Sequence, residues 1–336
     1  MVRGRAIFGI LLVACGSSGD AAPSPADGGG AVPPGPTTMP TPPNPPPPSS
    51  GDAGAACSGK TGAAGDKTVM IMSGGVMRSY DLHVPPAYDP TKAAPLVFAF
   101  HGYTMNPSQM ASATHLSTVS DARGFVLVYP AGTNGGFNAG DCCGQSVTDK
   151  VDDIGFTRDM LAAVTKDYCI DSKRIYETGF SNGGFMAYRF ACEMSDVFAA
   201  VASVSGTLGI DPASCNPKRA IPMMHIHGTG DIVVPYDGGG LGNNRSVAVS
   251  VQTLRDRDMC PSSGDAGGGN VYYTKNDVSC TEWGPCAGAT NVRLCTVTGG
   301  GHQWPGGETL PYGGSASPNL DASNAILDFF EAHPLP

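Results

Sequence analysis

Gly179-Phe180-Ser181-Asn182-Gly183 is the stretch of this chain best suited to covalent chemistry. A strand-like run, Arg174 to Thr178, precedes it and a helical pattern, Gly184 to Glu193, follows. The serine is therefore predicted at a nucleophile elbow, where small residues two positions to either side let the chain turn sharply and leave the hydroxyl exposed. The first turn of that helix would aim free N–H groups and a positive dipole end at the same point, which favours developing negative charge. A serine hydroxyl is a poor nucleophile without a base. Of the seven histidines, His83, His101 and His115 precede the serine and His333 lies at the chain end. His225 and His227 fall within a strand, ahead of the acid. That leaves His302, in Gly299-Gly300-Gly301-His302-Gln303-Trp304, just after the run Val292 to Val297. The expected acid is Asp231, a short turn beyond the run Met223 to His227; Asp237, its competitor, sits between Pro235 and a glycine run and reads as turn chemistry. Ser181 would attack a carbonyl, His302 would take its proton and return it to the leaving alcohol, and Asp231 would fix the imidazole tautomer and stabilise its cation.

A tetrahedral intermediate also needs donors for its oxyanion. The backbone N–H of Asn182 is one expected donor, and the loop after Leu96 to Phe100, His101-Gly102-Tyr103-Thr104, should supply the other. Tyr103 is the choice for that amide, with Thr104 in reserve, and His101 reads as a ring bracing the loop.

The elements that must position these groups follow from hydrophobic patterning. Arg78 to Val84 alternates as an edge or antiparallel strand would, whereas Leu96 to Phe100 and Phe125 to Tyr129 are continuously apolar, as strands covered on both faces are. Further strands are predicted at Arg174 to Thr178, Ala199 to Ser203, Met223 to His227 and Val292 to Val297. Helices are predicted at Thr157 to Tyr168, Gly183 to Glu193, Arg245 to Arg257 and Asn319 to Ala332. Strand and helix alternate, so the fold class is α/β, a doubly wound, mostly parallel sheet. With the order Ser…Asp…His this is the α/β-hydrolase pattern. The Gly-rich segment Ala131 to Asp153 is long enough to line a cleft, whereas Gly206 to Ile221 is short for a helical lid, so an open site without a large lid is expected. Asp152 and Asp153 read as a helix cap and a brace for the Cys142-Cys143 loop. Gly238 to Gly242 reads as a turn, not a nucleotide site.

Composition bounds the rest. The chain has 336 residues with 47 Gly and 29 Pro, and Gly16 to Ala56 alone holds 12 Pro and 8 Gly in 41 residues with no Lys or Arg. The net charge of −9, with no basic stripe, disfavours nucleic acid and anionic membrane surfaces as partners. Arg3 and Arg5 followed by the apolar run Ala6 to Ala14 read as a signal peptide, 1–14. Leu12-Val13-Ala14-Cys15 resembles the lipobox of bacterial lipoproteins, which implies a lipidated Cys15 as the one membrane anchor. Residues 15–56 then form a lipidated, Pro/Gly-rich disordered linker, and 57–336 the catalytic domain, expected to be monomeric and outside the cell or on the envelope surface. The ten cysteines beyond Cys15 suit disulfides in an oxidising compartment. The absence of any C-x-x-C leaves a metal site without support. Bonding Cys142 to Cys143 would strain the chain, so at least one of them is expected to reach a distant partner.

One resemblance covers roughly Ser79 to Ala332. His101-Gly102, Asp141-Cys142-Cys143-Gly144, Asp152 to Phe156, Gly179 to Gly184, His225 to Asp231 and Gly299 to Gly307, in that order, resemble the secreted esterase family that includes poly(3-hydroxybutyrate) depolymerases and feruloyl esterases. The resemblance implies a serine carboxylesterase that needs no cofactor, with Ser181, Asp231 and His302 as its triad, and a cleft-side aromatic at Trp304 that would contact substrate or pack under the histidine loop. No added substrate-binding module is read in the chain, which favours hydroxycinnamate or acetyl esters of plant polysaccharide, or soluble polyhydroxyalkanoate oligomers, over crystalline polyester. The rival readings are a depolymerase proper, a serine peptidase, and a non-catalytic surface lipoprotein that uses the scaffold for binding.

Overall fold

A computed structural model describes residues 57–240, 242–261 and 268–336. The signal peptide, Cys15 and the Pro/Gly-rich linker lie outside the described residues, as does most of Gly264 to Gly269. In chain order the strands are β1 (Gly65–Ser73), β2 (Val76–Val84), β3 (Ala94–Phe100), β4 (Val126–Pro130), β5 (Ile170–Phe180), β6 (Ala200–Val204), β7 (Met223–Gly228), β8 (Asn270–Lys275), β9 (Val278–Trp283) and β10 (Val292–Val297). The α-helices are α1 (Pro107–Thr114), α2 (Leu116–Arg123), α3 (Gln145–Thr148), α4 (Asp153–Asp167), α5 (Asn182–Glu193), α6 (Val247–Arg257) and α7 (Ala322–Glu331).

All ten strands join one sheet in the order β1-β2-β4-β3-β5-β6-β7-β10-β9-β8. The six inner strands, β4 to β10 in that order, pair in parallel, and the two strands at each edge pair antiparallel. β3, β4, β6 and β7 are buried at every position because helices cover both faces of the parallel region. Alternate side chains enter opposite layers: Phe98, Phe100, Val128 and Val201 pack with residues of α4 and α5, while Val97, Ala99, Leu127 and Ala202 pack with residues of α1, α2 and α7. This is the α/β-hydrolase fold. Between β6 and β7 the chain forms only the short 3-10 turn Pro212–Ser214, so the described residues there carry no helical lid.

Three strands and three helices were not apparent in the sequence, the shortest of these helices being the four-residue α3. β1, β8 and β9 are antiparallel edge strands whose outward faces are polar or exposed, which dilutes the apolar signal. The helices α1 and α2 are eight residues each and rich in Ser and Thr, too short for a clear period. α4 starts at Asp153, earlier than expected, because Asp152 caps it by accepting from the Gly155 N–H at 2.8 Å.

Five disulfides link the ten described cysteines: Cys57–Cys169, Cys142–Cys143, Cys192–Cys215, Cys260–Cys286 and Cys280–Cys295. The expectation of a distant partner for Cys142 or Cys143 is corrected. The two bond to each other across a cis peptide, their Cα atoms 3.0 Å apart, and the other eight cysteines pair among themselves. One buried group has no counterpart in this ordering: Glu177 of β5 is fully buried between Phe98 of β3 and Val201 of β6, and among the described residues neither carboxyl oxygen has a hydrogen-bond partner.

Candidate active site

Ser181 stands at the junction of β5 and α5 with φ 54° and ψ −115°, a left-handed conformation that a non-glycine residue adopts only when its surroundings enforce it. Its N–H donates to the Val204 carbonyl at 2.8 Å and its carbonyl accepts from the Phe185 N–H at 2.9 Å. The glycines of the elbow are sterically required, since a Cβ on Gly179 would collide with the backbone of Gly183, and one on Gly183 with the backbone of Phe100. Asn106, Asp152, Ser246 and Asp321 cap their helices with their side chains, but Ser181, at the same position of α5, makes no such bond. Its hydroxyl is free for other work.

Asp231 and His302 arrive from the carboxyl ends of β7 and β10, which lie side by side. Their loops are stitched together: the Gly230 N–H donates to the Gly300 carbonyl at 2.8 Å, and the Gly299 N–H to the Thr229 hydroxyl at 2.8 Å. His302 Nδ1 donates to Asp231 Oδ2 at 2.7 Å with both side chains buried. The other carboxylate oxygen accepts from the backbone N–H groups of Val233 and Val234, each at 2.8 Å. Burial alone would raise the Asp231 carboxyl, but hydrogen bonds from His227 and His302 outweigh it and hold the group well below the usual carboxylate range. The His302 ring packs on Phe180, the residue before the serine, with centroids 4.9 Å apart. The structure thus joins Asp231 to His302 and sets the His302 ring against the residue that precedes Ser181. Asp237 is exposed in the turn that the Gly238 N–H closes on the Pro235 carbonyl.

The oxyanion candidates can be sorted by what their amides already do. Thr104, the reserve, donates to the Gly135 carbonyl at 2.7 Å and has no donor left. Among the described residues, neither the Tyr103 nor the Asn182 N–H donates to a protein acceptor. Gly102 lies against the serine: a Cβ there would come within 3.3 Å of Ser181 Cβ. His101 is buried, and burial lowers its ring to about 4, so it is neutral at pH 7. Its Nε2 accepts from the Gly132 N–H at 3.0 Å, so Nδ1 carries the proton and donates to the Gly102 carbonyl at 2.8 Å. It braces the loop.

The segment from Ala131 to Asp153 packs against these groups. The Asn182 side chain accepts from the Phe137 N–H at 2.7 Å, donates to the Phe137 carbonyl at 3.0 Å and reaches Cys142 Sγ at 3.6 Å. Tyr103 lies against Gly136 and Gly144, flanking the vicinal disulfide. Asp153 anchors the same segment by accepting from the Asn138 N–H at 2.7 Å and pairing with Arg78 at 2.8 Å, both side chains buried.

Trp304 differs from the cleft-side aromatic that the resemblance implied. It is 1% exposed, packs in the core layer under α7 and donates its indole N–H to the Ser323 hydroxyl at 3.0 Å, so its ring is sealed beneath the histidine loop. Sequence reasoning also set aside His227, whose Nε2 lies 3.4 Å from Asp231 Oδ2. The signal was the i, i+4 spacing of His227 and Asp231 across the end of β7. Among the described residues no cluster of His, Cys, Asp or Glu is arranged to hold a metal ion.

An α/β-hydrolase sheet with a strained serine after β5 and a buried His–Asp pair beyond β7 and β10 has the form of a hydrolase with a serine nucleophile. The family model described as Esterase PHB depolymerase matches residues 78–235. The chain is 30% identical over 195 residues to feruloyl esterase C of Emericella nidulans, covering 56% of this chain and 68% of that protein. It is 30% identical over 227 residues to feruloyl esterase B of Piromyces equi, covering 65% of this chain but only 41% of that longer protein. The solved acetyl xylan esterase from Aspergillus awamori shares the fold, with a TM-score of 0.57 at 14% identity over 79% of this chain and 99% of that one. The chain belongs to the carboxylic ester hydrolase family of polyhydroxybutyrate depolymerases and feruloyl esterases.

Proposed function

We propose that this protein is a serine carboxylesterase acting through an acyl-enzyme on feruloyl or acetyl esters of plant polysaccharide, or on polyhydroxyalkanoate oligomers. The observation that carries the reading is the buried 2.7 Å hydrogen bond from His302 Nδ1 to an ionised Asp231 carboxylate, with the His302 ring packed on Phe180, the residue before the elbow serine. Ser181 Oγ attacks the ester carbonyl while His302 Nε2 takes its proton. The oxyanion is held by the N–H groups of Tyr103 and Asn182, and collapse expels the alcohol, which receives the proton from His302. Water, deprotonated by the same imidazole, then releases the acid and restores Ser181. The names of the relatives support the substrate classes, and Tyr103 on the oxyanion loop and Ile232 and Val233 beside the acid are exposed apolar side chains that could meet an aromatic acyl group. Turnover of methyl ferulate, acetylated xylan and 3-hydroxybutyrate oligomers decides between them. Turnover of the oligomers alone would make the protein a depolymerase, and turnover of none, with no labelling of Ser181 by a fluorophosphonate, would refute the esterase reading.

Export into an oxidising compartment is part of the proposal, and the five disulfides support it. Residues 1–14 then serve as the signal, Cys15 as the lipidated anchor and the Pro/Gly-rich stretch as a spacer that holds the enzyme off the membrane. Cys15→Ser should move the protein from the membrane fraction to the soluble one, and retention of that variant on membranes would remove the anchor from the reading.

A further inference from the structure

Behind Asp231 three buried polar side chains form a line. The Tyr188 hydroxyl of α5 lies 2.7 Å from His225 Nδ1, and His225 Nε2 lies 3.0 Å from His227 Nδ1. His227 Nε2 lies 2.8 Å from the Val234 carbonyl oxygen and 3.4 Å from Asp231 Oδ2. The two rings are nearly parallel, 5° apart, and none of Tyr188, His225 and His227 is more than 1% exposed.

One end of this line dictates every proton in it. A carbonyl oxygen can only accept, so His227 Nε2 must carry a hydrogen, and Asp231 Oδ2 lies 3.4 Å from the same nitrogen. In a neutral His227 ring Nδ1 is then the lone-pair nitrogen and accepts, so the hydrogen between the rings belongs to His225 Nε2. His225 Nδ1 in turn accepts, and the tyrosine O–H donates. Burial keeps the His225 ring well below its ordinary value and therefore neutral, and burial keeps the Tyr188 hydroxyl protonated. The opposite orientation would leave the bare Nε2 lone pair of His227 facing two oxygens.

We propose that Tyr188, His225 and His227 are positioning residues for the catalytic acid, forming a one-way hydrogen-bond chain that presents the His227 Nε2–H to Asp231 and fixes the carboxylate for His302. The alternation of β7 puts both rings on one face of the strand, and the turn after it returns Val234 and Asp231 to the same imidazole. His302 and His227 thus approach one carboxylate oxygen from two directions, while the backbone amides of Val233 and Val234 hold the other. A carboxylate so held cannot rotate to release the imidazole as charge develops on it.

Its catalytic purpose rests on the triad reading, but its geometry can be tested without turnover. Nitrogen-15 NMR of the histidine-labelled native protein at pH 7.5 should show His225 and His227 as neutral Nε2–H tautomers. A His227 ring that is doubly protonated or carries its hydrogen on Nδ1 would overturn the chain. In kinetics, His227→Phe should lower kcat about ten-fold with KM changed less than two-fold, the scale of one lost hydrogen bond to a charged group. His227→Gln, whose amide N–H reaches where Nε2–H was, should recover most of that loss. Because His225 acts only through His227, adding His225→Phe to His227→Phe should cost nothing further in kcat. Multiplying losses, or a change confined to KM, would refute the positioning role. The predicted tautomers in a protein that hydrolyses no ester would overturn the functional reading while leaving the chain intact, and turnover with the wrong tautomer would do the reverse.

Discussion

Ser181→Ala is expected to lower kcat for ester hydrolysis by about a million-fold while leaving the fold and substrate affinity nearly unchanged, because it removes the nucleophile and nothing that packs. The serine makes no side-chain hydrogen bond at its helix cap, so no helix stability is lost with its hydroxyl. Asp231→Asn should cost less, about ten-thousand-fold, and for a different reason. The asparagine would keep an acceptor oxygen and could still accept from Val233 and Val234. Its amide N–H, however, would face His302 Nδ1 where a carboxylate oxygen now accepts at 2.7 Å. The imidazole would be driven to the tautomer that puts its proton on the nitrogen facing Ser181, where it cannot act as a base. Purified variants assayed on methyl ferulate and on an aryl acetate provide the check. Equal modest losses in both variants would mean that the pair supports structure and does not carry the chemistry.

Glu177→Gln is expected to stabilise the protein progressively as pH rises. Burial in an apolar layer pushes the Glu177 carboxyl well above its ordinary range, and no hydrogen bond offsets it. The folded state therefore holds a proton that the unfolded chain releases above about pH 4.3. A group whose folded value is raised destabilises the fold increasingly from that unfolded value up to the folded one, by about 1.4 kcal/mol per pH unit. Below pH 4 both states are protonated and the substitution should change little beyond the exchange of an unpaired buried carboxyl for an unpaired amide. Above about pH 4.3 the difference in unfolding free energy between variant and wild type should climb with that slope until the folded carboxyl ionises. Taking the difference cancels other groups, such as Asp258, which burial pushes up to about 7 against the opposing Ile221 N–H and Arg219. Urea midpoints at a series of pH values supply the measurement, with Glu177→Leu as a second variant. Parallel curves for variant and wild type would show that the carboxyl ionises normally in the folded protein. Glu177 lies four residues before Ser181, on β5, and the fold tolerates it because β5 is locked on both sides by parallel pairing with β3 and β6.

The inner sheet was legible because burial on both faces favours long apolar runs, and β3 and β4 are such runs. The elbow was legible because steric demands on Gly179 and Gly183 are local, met by residues within a few positions of the serine or on the adjoining strand. The edge strands were not legible, because half of each faces outward and carries no hydrophobic pattern. The disulfide between Cys142 and Cys143 was missed because sequence arithmetic counts thiols but cannot see which are already taken. Trp304 illustrates the same limit, since an aromatic after a glycine run fits a cleft wall or a core plug equally well until α7 is seen to cover it.

By itself the sequence determined the chemistry available: one serine in an elbow, one histidine and one aspartate in the right order, because residue type, local turn geometry and chain order are all written in one dimension. Only the tertiary structure decided which groups meet. It joined Asp231 to His302 across 71 residues, committed the Thr104 amide to Gly135 while leaving that of Tyr103 free, and set Tyr188, His225 and His227 in line behind the acid. Hydrogen bonds form between neighbours in space, and a parallel sheet makes neighbours of strand ends that the chain keeps far apart.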